Sequence, residues 1–302
     1  MQAKRGRRGF IRLENAYIHL MIQATLNTFP PGFRAEGRFQ IRTDAPPPSP
    51  PTERPLTGID DARALQGDAD VTAFFARHGF VLLPHATKVT DWSADPKDGY
   101  LAEIENLIRT DLLPGKKLVI PPFASIVRRG EGTGNGYAGG VHQDCGIGPD
   151  DYEHLVGAFA GPQAANGWRI FYDSPEVEGF MVIDFWRVTD MTAPLRHMPL
   201  AVCDPASVDP DDVIPTEIYG IAPEGRPLRN LGLRRNTAQQ WYYYPGMTND
   251  EVLAFKLFDC RKADPEAFRS CFHTAFIDPT TPADAEPRRS AECRVGVFVL
   301  KS

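Results

Sequence analysis

Beyond residue 116 the apolar residues come in short runs, each bounded by Gly, Pro, Asp or Asn. The better ones are 117–120, 124–128, 179–188, 239–244, 252–258, 271–277 and 290–300. Several alternate and carry β-branched or aromatic residues, as in Gly179–Val188 (GFMVIDFWRV). Short alternating runs between turn residues read as strands, because successive side chains on a strand point to opposite faces. Seven or so strands after two leading helices can bury one face each only by folding into an antiparallel sandwich or barrel. The fold class expected is therefore α+β, mainly β, with helical support.

The leading helices have their own signals. Residues 71–78 (VTAFFARH) follow Asp70, a good N-cap, and precede Gly79, a good helix stop. A strand is expected over Phe80–Leu83. Residues 98–112 place Tyr100, Leu101, Ile104, Leu107, Ile108 and Leu112 on one helical stripe, and Pro114-Gly115 ends it.

Residues 44–55 (DAPPPSPPTERP) hold six prolines in twelve positions, which favours extended backbone and excludes helix and central strand. This run divides the chain into an N-terminal arm, 1–57, and a main domain, 58–302. The basic start MQAKRGRRGF lacks the apolar stretch and cleavage site of a signal peptide. A length of 302 residues suits one large domain, and no apolar run approaches the roughly 20 residues that cross a bilayer. With 33 basic and 39 acidic residues the net charge is −6, which argues against a nucleic-acid partner. Five widely spaced cysteines with no CxxC fit free thiols in a reducing cytoplasm.

Three stretches could carry chemistry. The glycine-rich segment 130–140 (GEGTGNGYAGG) is followed by no helical pattern, so it reads as a loop at a barrel mouth and not as a phosphate cradle. His142-x-Asp144 could grip one metal ion from a single strand face. With seven histidines and 39 acidic residues, however, chance alone supplies about one such pair. His273 lies downstream in a buried-looking strand. Arg288-x-Ser290 opens the last strand, where alternation puts Arg288, Ser290, Glu292 and Arg294 on one face. A forked guanidinium beside a hydroxyl suits a buried carboxylate.

The ordered set HxD…H…RxS is less common than its parts and resembles the signature of iron(II)/2-oxoglutarate oxygenases, whose core is a double-stranded β-helix of the jelly-roll or cupin kind. Residues 183–208 (IDFWRVTDMTAPLRHMPLAVCDPASV), WYYYPGMTNDEVLAFKLFD, FHTAFIDP and PRRSAECR resemble the AsaB-like and CmcJ-type hydroxylase/desaturase family. The resemblance covers about 22–300. It implies His142, Asp144 and His273 as iron ligands, and Arg288 and Ser290 as the holders of the distal carboxylate of 2-oxoglutarate. Arg187 is a further candidate for a substrate or co-substrate carboxylate, with a structural salt bridge as its alternative. The implied cofactors are Fe(II), 2-oxoglutarate and O2. The implied reaction is hydroxylation, desaturation or ring closure of a small secondary metabolite or amino-acid-derived molecule. The alternative function is a non-catalytic accessory protein of the same fold that partners a biosynthetic enzyme, and a homo-oligomer is compatible with either. Tyr137, Trp241 and Tyr243 are pocket-lining candidates, while His154 and His197 read as surface or loop histidines.

Overall fold

The computed structural model describes residues 21–43, 52–93, 97–121 and 124–302. The basic start and most of the proline-rich run lie outside them. The strands that precede the glycine-rich loop are β1 (Ile22–Thr25), β2 (Phe39–Arg42), β3 (Leu56–Asp61), β4 (Phe80–Pro84), β5 (Lys117–Val119) and β6 (Ala124–Gly130). After it come β7 (His142–Gln143), β8 (Val177–Val188), β9 (Leu200–Cys203), β10 (Val213–Tyr219) and β11 (Leu228–Leu233). The last four are β12 (Trp241–Tyr243), β13 (Glu251–Arg261), β14 (His273–Ala275) and β15 (Arg289–Leu300). Five helices join them: α1 (Ala62–Gln66), α2 (Val71–His78), α3 (Lys97–Leu107), α4 (Pro149–Ala160) and α5 (Pro162–Asp173).

The protein is mostly β, as expected. One sheet has nine strands in the order β1-β3-β12-β9-β14-β7-β11-β10-β2. The other runs β4-β13-β8-β15-β5, with β6 also paired to β15. Two strands from the stretch read as an arm, β1 and β2, are hydrogen-bonded into the larger sheet, on β3 and β10. Most other pairs are antiparallel, and the long β8, β13 and β15 form the middle of the smaller sheet.

The local signals behaved as their chemistry requires. The Asp70 side chain accepts from the Ala73 amide at the start of α2, and Gly79 ends it at φ 74°. The stripe on α3 is buried through Tyr100, Ile104 and Leu107 and continues into a π-type turn over Ile108–Leu112, closed by the Leu113 amide on the Ile108 carbonyl. Helices α4 and α5 were not anticipated. Gly157, Gly161, Pro162 and Gly167 interrupt their pattern. Each begins with proline in its first turn, where the missing N–H costs nothing. Both helices are held by packing, since Tyr152 of α4 and Trp168 of α5 stack against Phe180 of β8. Strands β9, β10 and β11 were also unforeseen, because Pro and Gly punctuate 199–232 and the pairing partners lie far along the chain.

The main core lies between the smaller sheet, its helices and the inner face of the larger sheet. Phe180 is 1% exposed and touches the rings of Tyr152, Trp168, Phe258 and Phe298. A Phe180→Ala variant is expected to lose about 3–5 kcal/mol of unfolding free energy, read by urea denaturation.

Candidate metal centre

Two neighbouring strands of the larger sheet bring the histidines together. His142 of β7 is the direct ladder partner of His273 of β14, and their ring centroids are 4.4 Å apart. Asp144 follows just past the end of β7. Its Oδ1 is 3.6 Å from His142 Nε2, and its Oδ2 is 3.9 Å from His273 Nε2. One ligand atom from each of the three residues lies within 4.8 Å of the others. Both imidazoles turn Nδ1 toward a backbone carbonyl, His142 to Gly140 at 2.7 Å and His273 to Cys271 at 3.3 Å. With the proton on Nδ1, each Nε2 lone pair is free and aimed at the shared space.

The electrostatics suit the same use. Burial, and then the His142 ring, push the His273 pKa down to about 3, so this imidazole stays neutral and able to ligate. Burial alone would raise Asp144, but neighbouring positive charge, Arg294 foremost, outweighs it and holds the carboxyl well below its ordinary range. Arg294 Nη2 is 2.8 Å from Asp144 Oδ2, and Asn230 Nδ2 donates to Oδ1 at 3.1 Å. Arg294 also reaches Glu292 at 3.1 Å and Asp184 at 3.9 Å. Asp184 is fully enclosed, and burial, followed by Glu292, pushes its carboxyl well above the usual value.

The arginine of the Arg-x-Ser pair lines a cleft with both histidines. Arg288, Glu292, Arg129 and Trp186 line it together with His142, His273, Leu200 and Thr274. Arg288 is 1% exposed, and its guanidinium sits 4.2 Å from the Tyr137 ring centroid and 5.4 Å from that of Trp186. One of its nitrogens donates to the Met198 carbonyl, but Nε has no partner, and neither has Ser290 Oγ two residues on. Buried polar atoms are seldom left unpaired, so this pair has spare capacity for a carboxylate. The opposite face of β15 (Ala291, Cys293, Val295) enters the apolar core, as the alternation predicts.

The glycine-rich segment approaches this site closely. A Cβ on Gly130 (φ 107°) would lie 2.1 Å from the Arg288 carbonyl oxygen, and the Tyr137 hydroxyl donates to that oxygen at 2.8 Å.

Arg187 lies elsewhere. It shares its strand face with Ala291, turned from the cleft, where its guanidinium faces the rings of Trp92 and Tyr100 and donates to the His85 and Asn249 carbonyls. Strand alternation puts Trp186, not Arg187, at the site, and Arg187 is a packing residue without an ion-pair partner among the described residues. Trp241 and Tyr243 belong to a separate apolar cluster. His197 accepts from the Arg288 amide at 3.3 Å, and His154 bonds the Pro227 carbonyl. Sequence reasoning missed Asn230 and Asp184. For Asp184 the signal was an acid within the apolar run Phe180–Trp186, whereas nothing marked Asn230.

A family model described as an oxidoreductase/YMDC permease-like domain matches residues 51–298. The chain belongs to this family. The hydroxylase/desaturase CTB9 of Cercospora beticola is 28% identical over 236 residues, which is 73% of this chain and 70% of that protein. The Fe(II)/2-oxoglutarate-dependent dioxygenase nvfI of Aspergillus novofumigatus is 32% identical over 120 residues, covering 39% of this chain and 41% of the relative. The solved structure of the iron and alpha-ketoglutarate-dependent endoperoxidase NvfI superposes with a TM-score of 0.67 at 22% identity, over 93% of this chain and 98% of that one. The fold is thus shared with NvfI, and the kinship with hydroxylase/desaturases expected from the sequence blocks is borne out. No helix among the described residues is long and apolar enough to cross a membrane.

Arg294 generates a prediction. Asp144 contributes stability that is complete above the ordinary carboxylate pKa of 3.8 and is lost as pH falls through its depressed folded value. Arg294→Leu removes that contribution and leaves Asp144 without its guanidinium partner. The variant is expected to lose about 2–4 kcal/mol near neutral pH, with the deficit narrowing below about pH 4, read by urea denaturation across pH.

Proposed function

We propose that this chain is an iron(II)/2-oxoglutarate-dependent oxygenase built on a double-stranded β-helix core, with 58–302 as the oxygenase domain and part of 1–57 completing its larger sheet. Its reaction is hydroxylation or desaturation, or oxidative ring closure, of a small secondary metabolite or amino-acid-derived substrate. The observation that carries this reading is a His-Asp-His donor cluster whose two histidines line one cleft with a buried arginine that holds an unpartnered Nε.

The donor set fits the metal. Two neutral imidazoles and one carboxylate suit a divalent first-row ion and leave the remaining coordination positions to exchangeable ligands. His142, Asp144 and His273 hold it, while Asn230 and Arg294 fix the carboxylate that completes the set. Arg288 and Ser290 receive the distal carboxylate of 2-oxoglutarate, and the aromatic faces of Tyr137 and Trp186 keep the guanidinium plane fixed and exclude water from it. When bound, iron with 2-oxoglutarate and O2 supplies the oxidising power for C–H bonds. The protein's part is to orient and to shield.

An accessory binding protein would leave the free Nε2 atoms and the unpaired Arg288 and Ser290 atoms without a use. All five cysteines are free and buried, which supports a reducing, cytoplasmic setting in which Fe(II) stays available.

Anaerobic addition of Fe(II) and 2-oxoglutarate is expected to give the visible charge-transfer band of a metal-chelated 2-oxo acid. His142→Ala should abolish it. Arg288→Ala should weaken 2-oxoglutarate about a hundredfold while leaving metal affinity in place. If no band forms and Fe(II) does not bind, the accessory reading replaces this one.

A further inference from the structure

Gln143 stands between His142 and Asp144 in the HxD motif. His142 and Gln143 are held in the sheet by ladder pairing, His142 to Gly232 and His273, and Gln143 to Leu231. Asp144 lies one residue beyond the last of these pairs, so no sheet ladder fixes its backbone. The chain then turns through Cys145 and Gly146 toward α4. At Gly146 the backbone has φ 76°, and a Cβ there would lie 2.3 Å from Asp151 Cβ.

The two amides of that turn would be orphan donors in the interior. Gln143 takes both. Its side chain is fully buried, and its Oε1 accepts from the Cys145 and Gly146 amides, each at 3.0 Å. The other end of the same amide crosses to the smaller sheet, where Nε2 donates to the Leu257 carbonyl. Leu257 stands where the register of β13 against β8 shifts, between Lys256 and Phe258. A bulged residue is unpaired in its ladder, and its carbonyl is thereby available to a side chain from across the interior.

We infer that Gln143 is the positioning residue of the metal centre. Its acceptor end folds the turn that aims Asp144 at the two histidines, and its donor end anchors that turn to the bulge of the opposite sheet. This rests on the reading of His142, Asp144 and His273 as metal ligands. It goes beyond it by assigning the aim of Asp144 to a side chain that touches neither the metal nor the co-substrate. Partners that orient a ligand from outside the coordination sphere typically account for tenfold or more in metal affinity.

The test is Co(II) binding to the full-length chain without 2-oxoglutarate, followed by equilibrium dialysis and by the visible ligand-field spectrum. Gln143→Met keeps the volume but loses both ends of the tether. It is expected to weaken Co(II) about tenfold or more and to alter the band pattern. Gln143→Glu keeps the acceptor for the two amides but sets an oxygen against the Leu257 carbonyl, and a smaller loss with a shifted spectrum is expected. Wild-type affinity and bands in Gln143→Met overturn the inference. If that variant does not fold, unchanged affinity and bands in Gln143→Glu overturn it instead. His142→Ala separates the two levels. If it leaves Co(II) binding intact, the metal-centre reading itself fails. If it abolishes binding while the Gln143 variants do not disturb it, only the role of Gln143 fails.

Discussion

Arg294 lies between the two sheets, with its guanidinium 2.8 Å from Asp144 on one side and close to Glu292 and Asp184 on the other. Three carboxyl groups converge there, and like charges in a poorly solvated interior repel strongly. Arg294 reaches all three, and Arg129 adds a second cation on Glu292 at 3.1 Å. Asp144 stays ionised because neighbouring positive charge, Arg294 foremost, outweighs its burial, while Asp184, with less compensation, is pushed toward its neutral form. The Arg294 guanidinium thus ties Asp144 to the carboxyl groups of the smaller sheet.

Around this contact the two sheets divide the work. The larger sheet supplies the metal donors from short adjacent strands, β7 and β14, whose direct pairing sets the spacing of the histidines. The smaller sheet supplies Ser290, Glu292 and Arg294 along one face of β15, with Arg288 just before the strand, and the other face of β15 is locked into the apolar core. A long strand buried on both faces cannot slip by one residue without exchanging its charged and apolar sets. That register constraint keeps Ser290, Glu292 and Arg294 on one face of the strand.

Much of this was legible in the residues. Alternation around Arg288 assigned the polar face of the last strand correctly, because β-strand periodicity is a local backbone property. The cap at Asp70 and the stop at Gly79 were equally local. The failures share another cause. Helices α4 and α5 contain glycines that weaken local preference and are fixed by aromatic contacts with β8 and β15. Arg187 was paired with the site from its neighbourhood in sequence, although strand alternation turns it away from Trp186 and into a separate aromatic pocket.

The sequence by itself determined the class of fold, the donor types and their order along the chain, since periodicity and side-chain chemistry do not depend on distant partners. Only the tertiary structure decided which polar groups share one space. Asn230 and Arg294 meet Asp144 across 86 and 150 residues of chain, and Gln143 reaches Leu257 across 114. Such contacts follow from sheet order and register, which are set by burial over the whole domain and not by any local pattern. The histidines, the aspartate, the arginine and the serine can be read as candidates from their types; that Asp144 meets both histidines, and that the histidines share a cleft with Arg288, are properties of the folded chain.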